Sequence, residues 1–136
     1  LEALKGLDVE INEMINSLED APINFYIEYQ NNKNNHYDPT NNTTKYDPND
    51  YIRRDGEIRP PEAALVHELG HAENDKNGTS IKYNKQIADG KEGTPREQAI
   101  EQEKRDRNEV NSIYYENIVR EKKGYPQRGY NYSAGD

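Results

Sequence analysis

Residues 60–72 read PPEAALVHELGHA and contain the pattern His67-Glu68-x-x-His71. On a helix, positions i and i+4 lie on one face, so both imidazoles can reach a single ion. Glu68 lies about 100° round the helix from His67, where its carboxylate can hold a water molecule beside that ion. Two neutral imidazole ligands with a carboxylate base are typical of zinc proteases. The stretch therefore predicts a helix that carries a zinc site, with Glu68 as the general base.

The surroundings of this motif favour a metal site over an ordinary buried helix with two histidines. Pro60 and Pro61 suit the start of a helix. Small or apolar side chains follow at Ala63, Ala64, Leu65, Val66, Leu69 and Ala72. They form an apolar island in a chain whose mean hydropathy is −1.32. A charged Glu68 on such a buried helix would be costly without a metal or another partner.

Length and composition predict one small domain over residues 1–136. Only 31% of the residues are hydrophobic, so the 11 tyrosines must supply much of the buried area. The formal net charge of −8 argues against nucleic acid or an anionic membrane as a partner. Cysteine is absent, so zinc would have to bind histidine and carboxylate ligands. No apolar run is long enough to span a membrane. Because the chain opens with Leu1, we expect it to be a piece of a longer protein.

The sequence before the motif predicts a helix, a strand and a loop. Apolar residues at helical spacing indicate an amphipathic N-terminal helix within residues 1–20. Residues 23–29 alternate as a strand does. The Asn-rich residues 30–42 indicate a loop. We expect His36, the one histidine outside the motif, to be solvated in this loop.

The elements around the motif are predicted from their turn residues and composition. Residues 43–46 indicate a second strand, which we expect at the sheet edge beside the active helix, where it would pair with an extended substrate. A turn or short hairpin is expected over 52–59, and the active helix over 61–74. Residues 75–93 carry three glycines and predict a long surface loop, with a brief strand at 81–83.

A long helix is predicted after this loop. Thr94 and Glu97 form a capping box around Pro95, and the helix is expected to continue to Lys123, with a break near Asp106. Its second half is expected to pack on the active helix through Val110, Ile113, Tyr114, Asn117 and Ile118. An extended surface tail is predicted over residues 125–136.

A zinc site needs a third protein ligand, and no histidine follows His71. The candidates are Glu109 and Glu116 on the long helix, which are two turns apart on one face. Apolar neighbours suggest that this face is buried, and a buried glutamate needs a metal or an arginine. Both carboxylates remain candidates on these grounds.

Two blocks of the sequence resemble the M91 zinc metallopeptidases. The first block is the motif helix itself, and the second reads Glu109-x-x-Ser112-Ile113-x-x-Glu116-Asn117-x-x-Arg120-x-x-x-Gly124-x-Pro126-x-Arg128. The preceding Asn-rich region, with Asp38-Pro39 and Tyr46-Asp47-Pro48, is also similar, so the resemblance covers most of residues 36–130. The tail departs from the family pattern, because Tyr130 and Tyr132 stand on either side of the position where a tyrosine is usual. The family includes bacterial secreted effector proteases and toxin domains of Rhs and YD-repeat proteins.

The resemblance implies a small zincin-like α+β domain with an active helix, a short antiparallel sheet and a long C-terminal helix. It implies a Zn²⁺-dependent endopeptidase, exported by a bacterium, that hydrolyses a protein or peptide substrate in or on a target cell. A cognate immunity protein would be a further partner. Glu109 becomes the preferred third ligand and Glu116 the alternative, which could instead pair with Arg120 or Arg128.

Two points stay open after the resemblance. A second donor to the reacting carbonyl oxygen is usual in such sites, and we expect it from Arg128, Tyr130 or Tyr132. The other expected function is a catalytically inactive zinc-binding interaction module of the same fold. An intact Glu68 argues against that alternative, because zinc binding alone does not need this carboxylate. Metal-dependent hydrolysis of a non-peptide amide is a third possibility.

Overall fold

The computed structural model describes residues 1–51, 58–130 and 132. The fold is α+β, with a small three-stranded sheet and a long C-terminal helix. In chain order its elements are α1 (Glu2–Lys5), α2 (Val9–Glu19), β1 (Tyr26–Tyr29), β2 (His36–Asp38), β3 (Thr43–Tyr46), α3 (Pro61–Asn77), α4 (Lys85–Ala88) and α5 (Pro95–Lys122). None of the described helices is both long and apolar enough to cross a bilayer.

The N-terminal region forms two helices where one continuous helix was expected. The break lies between Lys5 and Val9, and Asp8 caps the second helix. Its carboxylate accepts hydrogen bonds from the backbone N–H groups of Glu10 at 2.8 Å and Ile11 at 3.3 Å. Because these amides have no partner within the helix, a capping aspartate favours a new helix start here. Helix α2 then buries the apolar face that the periodicity predicted.

The sheet is mixed, whereas an antiparallel sheet was predicted. Strand β1 pairs with β3 in parallel, and β2 pairs with β3 antiparallel, with His36 opposite Lys45. His36 therefore begins a strand, although a loop was predicted for residues 30–42. The short turn between β2 and β3 accounts for their antiparallel pairing. Asp38 accepts a hydrogen bond from the Thr40 N–H at 2.9 Å, and Asn42 adopts a φ of 53°.

Strand β3 is central, so the prediction that residues 43–46 form a substrate-pairing edge is wrong. The strand order is β1-β3-β2, so β3 lies between β1 and its antiparallel partner β2. Both sides of β3 are therefore occupied by strand pairing within the sheet. Thr44 and Tyr46 are buried. Of the two outer strands, β2 makes the more extensive contact with α3.

Helices α3 and α5 pack directly against each other and form the centre of the molecule. Helix α3 runs three residues beyond the predicted end and stops at Gly78, whose φ of 69° suits a glycine cap. Helix α5 begins with the predicted capping box at Thr94 and continues without a break at Asp106. A short helix, α4, lies within the predicted 75–93 loop, and the brief strand expected at 81–83 is not formed.

The buried face of α5 is more polar than the predicted stripe. Val110 and Tyr114 are 46% and 43% exposed, although both were expected to face α3. The helix buries Glu109, Ser112, Ile113, Glu116, Asn117, Val119 and Arg120. The spacing misplaced Val110 and Tyr114, whereas the expected burial of Glu109 and Glu116 is confirmed. Both glutamates bond to histidines of α3, and Glu116 also bonds to Arg120. The turn expected over 52–59 lies mostly outside the described residues.

The start of the C-terminal tail is held along α5. Asn117 donates from Nδ2 to the Arg128 carbonyl at 3.0 Å and accepts at Oδ1 from the Arg128 N–H at 2.9 Å. Arg120 donates to the Pro126 carbonyl at 3.2 Å. Arg128 is buried, so this part of the tail does not lie on the surface as predicted.

Candidate metal centre

Three side chains from two helices meet at one point. His67 and His71 lie one turn apart on α3, and Glu109 projects from α5. Their donor atoms lie within 4.8 Å of one another, and together they form a group that could hold a metal ion. The ring centroids of the two histidines are 5.1 Å apart, as expected for positions i and i+4 on one helix face.

The Glu109 carboxylate bridges the two imidazoles. Its Oε2 lies 2.8 Å from His67 Nε2, and its Oε1 lies 3.2 Å from His71 Nε2. In a tetrahedral zinc site, bonds of about 2.0–2.2 Å place neighbouring donor atoms about 3.3 Å apart. Two imidazole nitrogens and one carboxylate oxygen are also a donor set that catalytic zinc sites use. The donors of this site are therefore of a suitable type, and close enough together, to hold one metal ion.

Glu116 is placed behind this group. Its Oε1 lies 2.8 Å from His67 Nδ1, the ring nitrogen that faces away from Glu109. Arg120 donates to Glu116 Oε2 at 2.7 Å, and Arg128 donates to Oε1 at 3.1 Å. The Glu116 side chain is fully buried, and these three partners compensate its charge. Of the two candidate third ligands, the structure brings Glu109 to the histidine pair and assigns Glu116 to orienting His67.

The pKa values of these groups reflect their mutual contacts. Burial raises the pKa of Glu109, but hydrogen bonds from His67 and His71 outweigh it, so that the pKa lies well below its usual range. Burial likewise raises the pKa of Glu116, and its contact with His67 and the two arginines brings it down to about 2. Burial lowers the pKa of His67, whereas the two carboxylates raise it well above its ordinary value. Both glutamates are thus ionised, and without metal a proton is stabilised on His67.

A cleft of about 780 Å³ opens over the three donors. Glu68 lines it next to His67 and His71, half-buried, on the side of α3 predicted from the helix geometry. The other walls come from β2, from the end of α3, from residues between α3 and α4, from α5 and from the tail. They include His36, Tyr37, Asp75, Tyr83, Asn108 and Tyr132. The cleft therefore gives solvent and ligands access to the metal-binding group and to a carboxylate beside it.

The residues considered as second donors to the reacting carbonyl oxygen do not lie together in the cleft. Arg128 lines the cleft, but its Nη1 is bonded to Glu116. Tyr132 also lines the cleft, with the Arg105 guanidinium 4.1 Å from its ring centroid. Tyr130 is 47% exposed and is not part of the cleft wall. Arg120 is buried against Glu116 and the Pro126 carbonyl.

Two groups of cleft residues were not anticipated from the sequence. Asp75 continues the i, i+4 series of His67 and His71, and it accepts a 2.6 Å hydrogen bond from the Tyr37 hydroxyl of β2. That spacing was a usable signal. The second group is Tyr83 with Asn108. The only signal for it in the sequence was that Asn108 precedes Glu109.

His36 also lines the cleft, at the end of β2, and its Nδ1 lies 2.9 Å from the Asn34 carbonyl oxygen.

Comparisons with protein families, with curated proteins and with solved structures found no match to this chain.

Proposed function

We propose that this protein is a zinc-dependent endopeptidase. The observation that carries the proposal is the group formed by His67, His71 and Glu109, which opens onto a cleft with Glu68 in its wall. A structural metal site has no need of a cleft or of a carboxylate next to the ligands, whereas a hydrolytic site needs both. The fold that we propose is accordingly of the zincin type.

Each residue of the site has a distinct task in the proposed hydrolysis. His67, His71 and Glu109 would hold the ion, which, when bound, supplies Lewis acidity that activates water and polarises the peptide carbonyl. Glu68 takes a proton from the attacking water and passes it to the leaving amine. Glu116 would accept a hydrogen bond from the Nδ1–H of His67, which would leave the Nε2 lone pair available to the ion.

The cleft wall also suggests how an extended peptide would bind. Strand β2 contacts α3 and is paired on one side with β3, while its other side has no strand partner among the described residues. A peptide could add to that side by main-chain hydrogen bonds and so lie across the cleft. Strand β2 thus takes the substrate-pairing role that was predicted for β3, which is central in the sheet.

The biological setting that we propose follows from the resemblance of the two motif blocks. The domain would act as a bacterial secreted effector or toxin on a protein of a target cell, and an immunity protein would be its second partner. The alternative function, a zinc-binding interaction module without activity, is supported only by the metal-binding group itself. Glu68 and the open cleft favour the enzyme.

Metal analysis combined with a peptide digest would test the proposed function. The purified protein should bind one zinc per chain and cleave members of a mixed peptide library, with the products identified by mass spectrometry. Glu68→Gln should retain the zinc and lose the cleavage, because the amide cannot accept the proton. Zinc binding without cleavage by the wild type would favour the interaction module. A wild type that binds no zinc would refute the proposal.

A further inference from the structure

Three tyrosines line the cleft over the metal-binding group: Tyr37, Tyr83 and Tyr132. The Tyr37 hydroxyl is committed to Asp75, to which it donates at 2.6 Å. Tyr132 is packed under Arg105, and its N–H donates to Asp106 at 2.9 Å. The Tyr83 hydroxyl makes no hydrogen bond to any described residue, although its side chain is half-buried in the cleft wall. A half-buried phenol whose hydroxyl bonds to none of the described residues is available to a ligand.

The backbone on both sides of Tyr83 is fixed to α5. Two residues before it, the Asn108 side chain forms a pair of 2.7 Å hydrogen bonds with the N–H and carbonyl of Ile81. One residue after it, the Asn84 N–H donates to Glu101 at 2.8 Å, and the Asn84 side chain caps α4. Asn108 is adjacent in sequence to the metal-binding Glu109. The segment that carries Tyr83 is therefore positioned by the same helix that supplies the third ligand.

The surroundings of Tyr83 raise the pKa of its phenol, mainly through burial. Burial raises its pKa, the nearby Arg105 lowers it, and the negative charge of Glu109 raises it again, with a net increase. The side chain is therefore a hydrogen-bond donor throughout the neutral range.

We propose that the Tyr83 hydroxyl donates a hydrogen bond to the carbonyl oxygen of the peptide bond cleaved in this site. The inference rests on the proposed endopeptidase function and names the second donor that the reaction needs. Negative charge develops on that oxygen when water attacks, and a donor fixed in advance stabilises it without reorganisation. No proton is transferred in this step, since Glu68 carries the proton that leaves the water. The assignment replaces the tail residues Arg128, Tyr130 and Tyr132 that the sequence had suggested.

Tyr83→Phe tests this role, because it removes the hydroxyl and keeps the ring. Tyr29→Phe is a matched control, since Tyr29 is 70% exposed on β1, the strand on the far side of the sheet from β2. Both variants should bind one zinc per chain. With a substrate from the peptide library, Tyr83→Phe should lower kcat by about 100-fold with little change in KM. Tyr29→Phe should leave both parameters unchanged.

A binding experiment gives a second readout that needs no substrate. Acetohydroxamate can be titrated into the cobalt-loaded protein and followed by visible absorption, since its oxygens bind the metal and would accept a hydrogen bond from Tyr83. We expect Tyr83→Phe to weaken this binding about 10-fold and Tyr29→Phe to leave it unchanged. Equal affinities for the wild type and Tyr83→Phe, or a loss found in Tyr132→Phe in place of Tyr83→Phe, would overturn the assignment. A protein that takes up no cobalt or zinc would instead refute the proposed function itself.

Discussion

The Nδ1 atom of His67 lies 2.8 Å from Oε1 of Glu116, a residue 49 positions later in the chain. This contact turns Nε2 of the same ring toward Glu109, at 2.8 Å from its Oε2. One histidine is thus held between a carboxylate that completes the metal-binding group and a carboxylate that fixes its orientation. Metal-binding histidines commonly have such an outer partner, and it contributes to metal affinity.

The different positions of Glu109, in the metal-binding group, and Glu116, behind His67, give the first prediction. Glu109→Ala removes a donor atom, so we expect the purified protein to lose its zinc. Glu116→Gln leaves the three donors in place but weakens the orientation of His67 and the pairs with Arg120 and Arg128. One zinc should therefore remain, with an affinity lower by about 10- to 100-fold. Metal content by mass spectrometry and competition with a zinc-sensitive dye would measure both effects.

Glu103→Ala is the control for this pair on the same helix, because Glu103 is exposed and contacts only Arg107 among the described residues. It should retain zinc with unchanged affinity. If Glu116→Gln lost the metal completely while Glu109→Ala kept it, the two glutamates would have the opposite roles.

A second prediction concerns the pH dependence of the metal-free protein. The pKa of His67 is raised, so its contribution to stability is complete below the ordinary value of 6.5 and is lost as the pH rises through the folded value. The pKa values of Glu109 and Glu116 are lowered, so their contributions are present above the ordinary value of 4.5 and are lost as the pH falls through the folded values. The contribution of this cluster to stability should therefore be largest on the weakly acidic side of neutrality.

Zinc should reverse the loss on the alkaline side, because it takes the place of the His67 proton. The increase in Tm on adding zinc should therefore grow as the pH is raised from about 5.5 to about 8. Thermal unfolding with excess zinc and with a chelator, at several pH values, would measure this difference. A zinc-induced shift that is the same at all of these pH values would contradict the prediction.

The elements with strong local signals were predictable from the sequence. Helix α3 was located because its proline start and its apolar island are local properties of the sequence. Helix α5 was located because its capping box is also local. The position of Thr43–Tyr46 as a strand was correct, but its central place in the sheet was not, since strand order depends on pairings between distant segments.

The buried face of α5 was derived only in part from hydrophobic periodicity. Apolar neighbours indicated correctly that Glu109 and Glu116 are buried, but they also placed the exposed Val110 and Tyr114 on that face. The two glutamates are buried because they bind the histidines of α3, and those partners are not visible in the local sequence. The contribution of Tyr83 to the cleft could not be predicted from the sequence either, because it depends on the contacts of Asn108 with Ile81.

A third prediction concerns the link between the sheet and helix α3. Tyr37→Phe removes the hydrogen bond from β2 to Asp75, which is short and ends on a carboxylate. We expect the variant to lose about 1.5 kcal/mol of unfolding free energy, as is usual for a bond to a charged group. Urea unfolding of Tyr37→Phe, with Tyr29→Phe as an exposed control, would measure the difference. Equal midpoints for the two variants would show that this bond contributes no net stability.

The close approach of α3 and α5 gives the last prediction. A Cβ atom on Gly70 would lie 2.8 Å from the Ser112 Cα and 3.2 Å from its backbone nitrogen, and the backbone of a packed helix cannot move aside locally. Gly70→Ala should therefore push α5 away from α3 and cost about 1–3 kcal/mol of stability. Since Glu109 is carried on α5, zinc affinity should fall as well. Gly6→Ala is a matched control, because its Cβ would meet atoms no closer than 3.7 Å at a φ of −75°. Thermal unfolding and zinc titration of both variants would test the argument, and a Gly70→Ala protein with wild-type Tm and zinc affinity would refute it.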